Sequence, residues 1–160
     1  FLMMILNSYE NNRPRALVIG ELLNKAYPDN PYFHRYYARL LYSNGQYAKC
    51  EKESLEILHR IDSGMLGYEH NSGRYAGFFL GQVYQAQKKY DDAKKYYGEA
   101  IKHAEALEMY ESGYYLYSLL YYGKLLKKEG KEKEAKVYFK KVKKHASRSH
   151  GAHKEAREEM

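Results

Sequence analysis

The chain repeats itself, and that constrains its fold more than any other property. Slid along itself, the sequence brings three segments into register: Tyr37-Ala38-x-x-Leu41 ahead of Gly45-Gln46-Tyr47, Leu80-Gly81-x-x-Tyr84 ahead of Lys88-Lys89-Tyr90, and Tyr122-Gly123-x-x-Leu126 ahead of Gly130-Lys131-Glu132. Each is followed by a second set at matching offsets: Cys50, Ser54 and Ile57; Ala93, Tyr97 and Ala100; Ala135, Phe139 and Val142. A partial copy at the start places Ala16, Gly20 and Leu23 ahead of Pro28. A small residue beside a large one lets a partner helix approach closely, and the next large side chain, one turn on, fills the groove. Two such sets joined by a short turn make a helical hairpin. One hairpin cannot bury both faces, so hairpins must stack.

Local signals place the helices. Asn30-Pro31 supplies an N-cap followed by proline at the first helical position, Arg13-Pro14 opens another helix, Asn71-Ser72 offers a cap, and Gly45 and Gly130 stand where first helices should end. The expected helices run over 14–27, 31–44, 47–61, 72–88, 91–110, 113–129 and 132–146, with 151–159 as a short terminal helix. Few prolines and much Ala, Leu, Glu, Lys and Tyr agree with an all-α fold.

On these residues the chain resembles the tetratricopeptide repeat family, whose pattern is Trp-x-x-Leu-Gly-x-x-Tyr, then Ala-x-x-x-Phe, then Pro. The third hairpin is the fullest copy, with Leu80, Gly81, Tyr84, Ala93, Tyr97 and Ala100 in place. The tryptophan slot holds His34, Gly77 and Leu119 instead. The resemblance implies a right-handed superhelical α-solenoid of stacked antiparallel hairpins in one domain over 1–160. Its parts are a partial repeat at 1–29, repeats at 31–62, 74–110 and 113–146, and a capping segment at 147–160.

Spacing departs from the family. Ala16 and Cys50 are 34 residues apart, but Cys50 and Ala93 are 43 and Ala93 and Ala135 are 42. The first extra stretch, Ser63 to Asn71, contains glycine and reads as a loop. The second has no breaker between Asp92 and Glu111, so the second helix there is expected to run on by about two turns. The apolar start, Phe1 to Leu6, reads as the remnant of a helix in a longer protein, packed on the helix after Pro14 and prone to self-association.

Composition excludes several classes. The single cysteine, Cys50, cannot form an internal disulfide and falls where the family places its small buried alanine, so it reads as packing. No run approaches the length of a membrane span, which points to a soluble protein of the cytoplasm or periplasm. The net charge of +7 is local: residues 1–120 balance 14 basic against 14 acidic side chains, whereas residues 121–160 carry 13 and 6. Lys alternating with Glu on a helix reads as a solvated face.

Chemistry is sparse. Threonine is absent, no nucleophile stands beside a base and an orienting acid, and no glycine-rich phosphate loop appears. Glu51, Glu53 and Glu56 read as an outer face. His145, His150 and His153 lack the i, i+4 spacing of a helical ligand pair, and His59, His70 and His103 read as isolated. No catalytic residue, metal site or cofactor is expected.

The twenty tyrosines are the unusual feature. Tyr37, Tyr84, Tyr90, Tyr97 and Tyr122 occupy repeat core positions, where a bulky amphipathic filler suffices. Tyr32, Tyr42, Tyr75, Tyr117 and Tyr121 fall on the first-helix face that, by the resemblance, lines a concave groove. That face also carries Arg35 and Arg39, then Phe78, Gln82 and Gln85, then Leu120, Lys124 and Lys127. Aromatic walls, central amides and cations at both ends suit an extended, acidic or C-terminal peptide. Phe79 and Tyr121 stand where the family's carboxylate clamp wants Asn and a basic residue. The expected function is a non-catalytic scaffold or adaptor for a protein segment. The alternatives are an accessory region of a larger enzyme and, through the basic C-terminal end, a nucleic-acid-binding module.

Overall fold

The computed structural model describes residues 12–160, and the expectation for Phe1 to Leu6 lies outside them. The described residues form helices α1 (Arg13–Ala26), α2 (Pro31–Ser43), α3 (Tyr47–Asp62), α4 (His70–Ala86), α5 (Tyr90–Ala106), α6 (Gly113–Lys128), α7 (Glu132–His145) and α8 (Gly151–Glu158), with no strand among them. Each helix packs on its neighbours in sequence, and α2 on α4, α4 on α6 and α6 on α8 besides. First helices therefore stand side by side as one wall, with second helices behind them, which is the arrangement of a helical-repeat solenoid.

Caps fix the starts. The Asn30 side chain accepts from the Tyr32 and Phe33 amides at 3.0 and 3.2 Å, and that of Asn12 accepts from the Arg15 amide at 3.3 Å. The ends share one device. After α2, Gly45 at φ +72° lets the Gln46 amide reach the Leu41 carbonyl at 2.9 Å; after α6, Gly130 at φ +79° lets the Lys131 amide reach Leu126 at 3.0 Å. After α4 the same left-handed position is held by Lys88 at φ 61°, with the Lys89 amide on the Tyr84 carbonyl at 2.9 Å.

Most boundaries fall within two residues of the sequence reading, and two of the differences have a local cause. Helix α5 stops at Ala106 rather than 110, because Glu108 turns left-handed at φ 54° and sends the Met109 amide back to the Ala104 carbonyl at 3.0 Å. Helix α4 starts at His70, after the extended residue Glu69, and not from a cap at Asn71-Ser72. The Asn71 side chain instead accepts from Arg74 Nε at 2.8 Å.

The core runs between the hairpins as successive clusters. Leu40, Leu41, Cys50, Phe79 and Val83 join the second to the third; Leu80, Ala93, Tyr97 and Leu125 join the third to the fourth; Leu116, Leu119, Phe139, Val142, Ala152 and Ala156 close the C-terminal end. Burial of a side chain such as Phe139 stabilises by about 1.5–3 kcal/mol. Packing inside the third hairpin is the closest. A Cβ on Gly77 would lie 2.7 Å from the Ala100 amide nitrogen and 2.9 Å from the Tyr96 carbonyl oxygen, while Gly81 lies against the Tyr97 ring and Gly73 against His103. Backbone meets backbone where the family has tryptophan.

Candidate functional site

The first-helix wall gathers nearly all the residues singled out by the pattern, and it separates them into three zones. At its N-terminal end, Arg35 Cζ lies 5.1 Å from the Tyr32 ring centroid and 5.5 Å from that of Tyr75, and Arg39 Cζ lies 5.8 Å from Tyr36. Arg74, on the first turn of α4, lies 5.1 Å from Tyr75 and 5.5 Å from Tyr114. Tyr75 and Tyr114 are 4.3 Å apart, so the guanidinium groups are gathered around one aromatic nucleus.

Among the described residues no carboxylate pairs with Arg35, Arg39 or Arg74. Arg74 is only 9% exposed and is held by the Asn71 side-chain Oδ1 and by the Ser112 hydroxyl, each at 2.8 Å. Burial pulls its pKa below the usual arginine value, yet a guanidinium stays protonated near neutral pH. Burial also pushes the Tyr36 and Tyr114 phenols up, so neither supplies a counter-charge. The buried Nε of Arg35 has no hydrogen-bond partner among the described residues. Ring faces attract these cations, by about 0.5–2 kcal/mol each depending on desolvation, but do not neutralise them.

The middle zone is internally committed. Tyr42 donates to Gln82 Oε1 at 3.1 Å and packs on Phe79 at 5.2 Å. The Tyr97 hydroxyl, reaching through from α5, accepts from Gln82 Nε2 at 2.6 Å and donates to Gln85 Oε1 at 2.7 Å. Gln82 and Gln85 thus satisfy a buried phenol, and half-buried Phe78 packs edge-on against Phe79 and Tyr114.

At the C-terminal end the expected cations already have partners. Lys124 donates to Glu155 at 2.7 Å, and Lys127 to the Glu159 carboxylate at 3.0 Å and backbone carbonyl at 2.9 Å, both supplied by the α8 segment. Tyr117 stacks on Tyr121 and meets the His150 ring at 5.6 Å, while Leu120 is buried. The two ends are therefore not equivalent.

Several residues read from sequence as bland have definite roles. The carboxylates of α3 face inward as well as outward: Glu53 meets His34 Nε2 at 3.0 Å and Glu51 accepts from Tyr84 at 2.8 Å. His70 and His103 are paired, Nδ1 to Nδ1 at 2.9 Å, so they are not isolated. His145 stacks on Tyr110, and His150 caps α8 through the Ala152 amide. Buried Cys50 has its thiol pushed up to about 12 by desolvation, which leaves it unreactive. Pattern reading missed Tyr36, Arg74 and Tyr114. Helical spacing marks Tyr36, four residues after Tyr32, and Tyr114, three before Tyr117; nothing in the repeat marks Arg74.

A sequence model of the tetratricopeptide repeat matches residues 78–107, from Phe78 on α4 to the residue after α5. No curated protein matches the chain. Such repeats generally mediate protein–protein interaction and are typically non-catalytic. No helix among the described residues is long and apolar enough to cross a membrane.

Proposed function

We propose that this chain, which carries a tetratricopeptide repeat, is a non-catalytic scaffold that holds an extended acidic segment of another protein along its first-helix wall. The observation that carries the reading is the Arg35, Arg39 and Arg74 cluster, three guanidinium groups positioned by tyrosine faces and paired with no carboxylate among the described residues. Rigid aromatic side chains offer contact area at low entropic cost, and forked guanidinium donors give an acidic group direction as well as attraction. Tyr42 and Tyr121 extend the contact beyond the charged zone.

The partner's acidic end belongs over α2 and the start of α4. Lys124 and Lys127 are held by the α8 carboxylates and contribute little. A peptide-array screen followed by titration at two ionic strengths tests this. Replacing Arg35 and Arg39 by Gln weakens binding by about tenfold or more at low salt and flattens its salt dependence. Tyr121→Ala weakens binding equally at both ionic strengths, and Lys124→Gln with Lys127→Gln changes it by less than about twofold. Binding that survives loss of both arginines and of Tyr121 places the partner elsewhere.

A further inference from the structure

Helix α8 divides its charges between two sides. Glu155 and Glu159 turn toward α6, where they hold Lys124 and Lys127. On the other side a cleft of about 480 Å³ opens between the last turn of α7, the following linker and α8, lined by Lys143, Ala146, Arg148, His153, Lys154 and Arg157. Its charged lining residues all belong to the same sign. Among the described residues no carboxylate pairs with Lys143, Arg148, Lys154 or Arg157. The neighbouring cleft at the far end of α8 shows that this is a property of one place: there Lys127 and Lys136 are mixed with Glu132, Glu158 and Glu159.

We propose that this cleft is a binding site for a compact polyphosphate, either a free phosphorylated small molecule or the headgroup of a phosphorylated lipid. Four exposed cations from three successive segments line one cleft, so their mutual repulsion is relieved by a multivalent anion more than by diffuse salt. A terminal phosphate carries a charge of about −1.5 to −2 near neutral pH, so two phosphates balance the four side chains. Arg148 and Arg157 provide planar forks suited to phosphate oxygens; Lys143 and Lys154 add mobile ammonium donors, and His153 a further polar edge. The volume falls in the range of small-ligand sites, and four cations grouped at one open cleft suit a compact anion better than a strand tracked along a helix. The site lies apart from the arginine cluster of the first-helix wall, so its fate is independent of the peptide reading.

Calorimetric titration of the whole chain with sodium tripolyphosphate and with inositol hexakisphosphate, against sodium sulfate at matched ionic strength, tests the proposal. Both polyphosphates are expected to bind with one dominant site and to raise the unfolding temperature, as a native-state ligand must, while sulfate does neither. Arg148→Gln with Arg157→Gln is expected to weaken tripolyphosphate about tenfold or more; Lys133→Gln with Lys140→Gln, an equal loss of charge at exposed positions of α7 outside the cleft, by less than about twofold. Equal weakening in the two double variants reduces the site to general surface charge and overturns the proposal. Flotation with phosphatidylcholine vesicles containing phosphatidylinositol bisphosphate, against vesicles of equal charge made with phosphatidylserine, separates the sources: selective, cleft-dependent recruitment assigns a lipid headgroup, and its absence alongside tripolyphosphate binding assigns a soluble ligand. Tighter binding of a twenty-nucleotide oligothymidylate than of tripolyphosphate, weakened alike by both double variants, overturns it in favour of a strand-binding surface.

Discussion

The second and third hairpins solve one packing problem by opposite means. At the slot where the family has tryptophan, the second hairpin places His34, buried and tied through Nδ1 to the Tyr68 hydroxyl at 2.9 Å and through Nε2 to Glu53 at 3.0 Å. Arg60 extends that polar tie to the Pro28 carbonyl and again to Tyr68. The third hairpin places Gly77, and with no side chain there the α4 and α5 backbones close on each other. One joint is held by directional bonds between side chains and the other by steric fit. A missing tryptophan is therefore no measure of a weakened repeat, since the space can be bridged by hydrogen bonds or removed.

The sharpest way to break this comparison is Gly77→Ala. A single methyl group would meet backbone atoms that cannot rotate aside, so the substitution should cost about 3 kcal/mol or more in urea unfolding, above the usual overpacking penalty. A loss under about 1 kcal/mol would mean that the hairpin is not steric in origin.

The two buried histidines offer a milder test. His34 has a hydroxyl and a carboxylate for partners, whereas His103 faces another imidazole, with Glu99 3.8 Å from its other nitrogen and Asp62 and Lys102 nearby. Two imidazoles bonded Nδ1 to Nδ1 share one proton, and a proton on the accepting Nδ1 breaks the bond. Burial, and then His70, lower the His103 pKa from its ordinary value near 6.5. The unfolded chain thus takes up this proton first as pH falls, so the stability associated with His103 is full above about pH 6.5 and declines as pH drops toward the folded value. Unfolding midpoints measured from pH 7.5 to 5 should show that decline, and His103→Gln should remove most of it. A slope unchanged in the variant assigns the effect to other groups.

The smallest effect comes from the turns. The second hairpin turns on Gly45 and the third on Lys88, both left-handed, and only the first is free of the cost a Cβ incurs there. Lys88→Gly should raise stability by about 0.5–1 kcal/mol, read as a shift in urea midpoint without change of slope. No gain would mean that the Lys88 side chain, exposed in this structure, makes a compensating contact.

Much of the fold was legible because its signals are local. Asn30 and Pro31 announce α2, Gly45 and Gly130 end first helices, and small residues at Ala93, Gly81 and Gly123 mark close contacts, each through the chemistry of one or two neighbouring residues. What escaped was set by chain segments distant in sequence. Glu108 is an ordinary helix former, and only its left-handed backbone ends α5 four residues early. Glu51 and Glu53 read as a solvated face, yet Tyr84 and His34 reach them from other helices. The groove was legible in outline, since helical spacing groups Arg35, Arg39 and the tyrosines on one face. Its asymmetry was not, because pairing of Lys124 and Lys127 depends on where α8 folds back, and the place of Arg74 depends on α4 beginning at His70.

The close fit of α4 on α5 also decides where the array can bend. A stack of hairpins flexes at its softest joints, and a hairpin whose backbones touch across Gly77 behaves as a stiff plate. Strain imposed on the wall would pass to the connections on either side, the Ser63 to Glu69 loop, which is anchored through Tyr68, and the Leu107 to Ser112 turn. Arg35 and Arg39 stand on the plate before the first of these joints and Arg74 on the plate after it, so any change in the angle of that joint would alter the span between them.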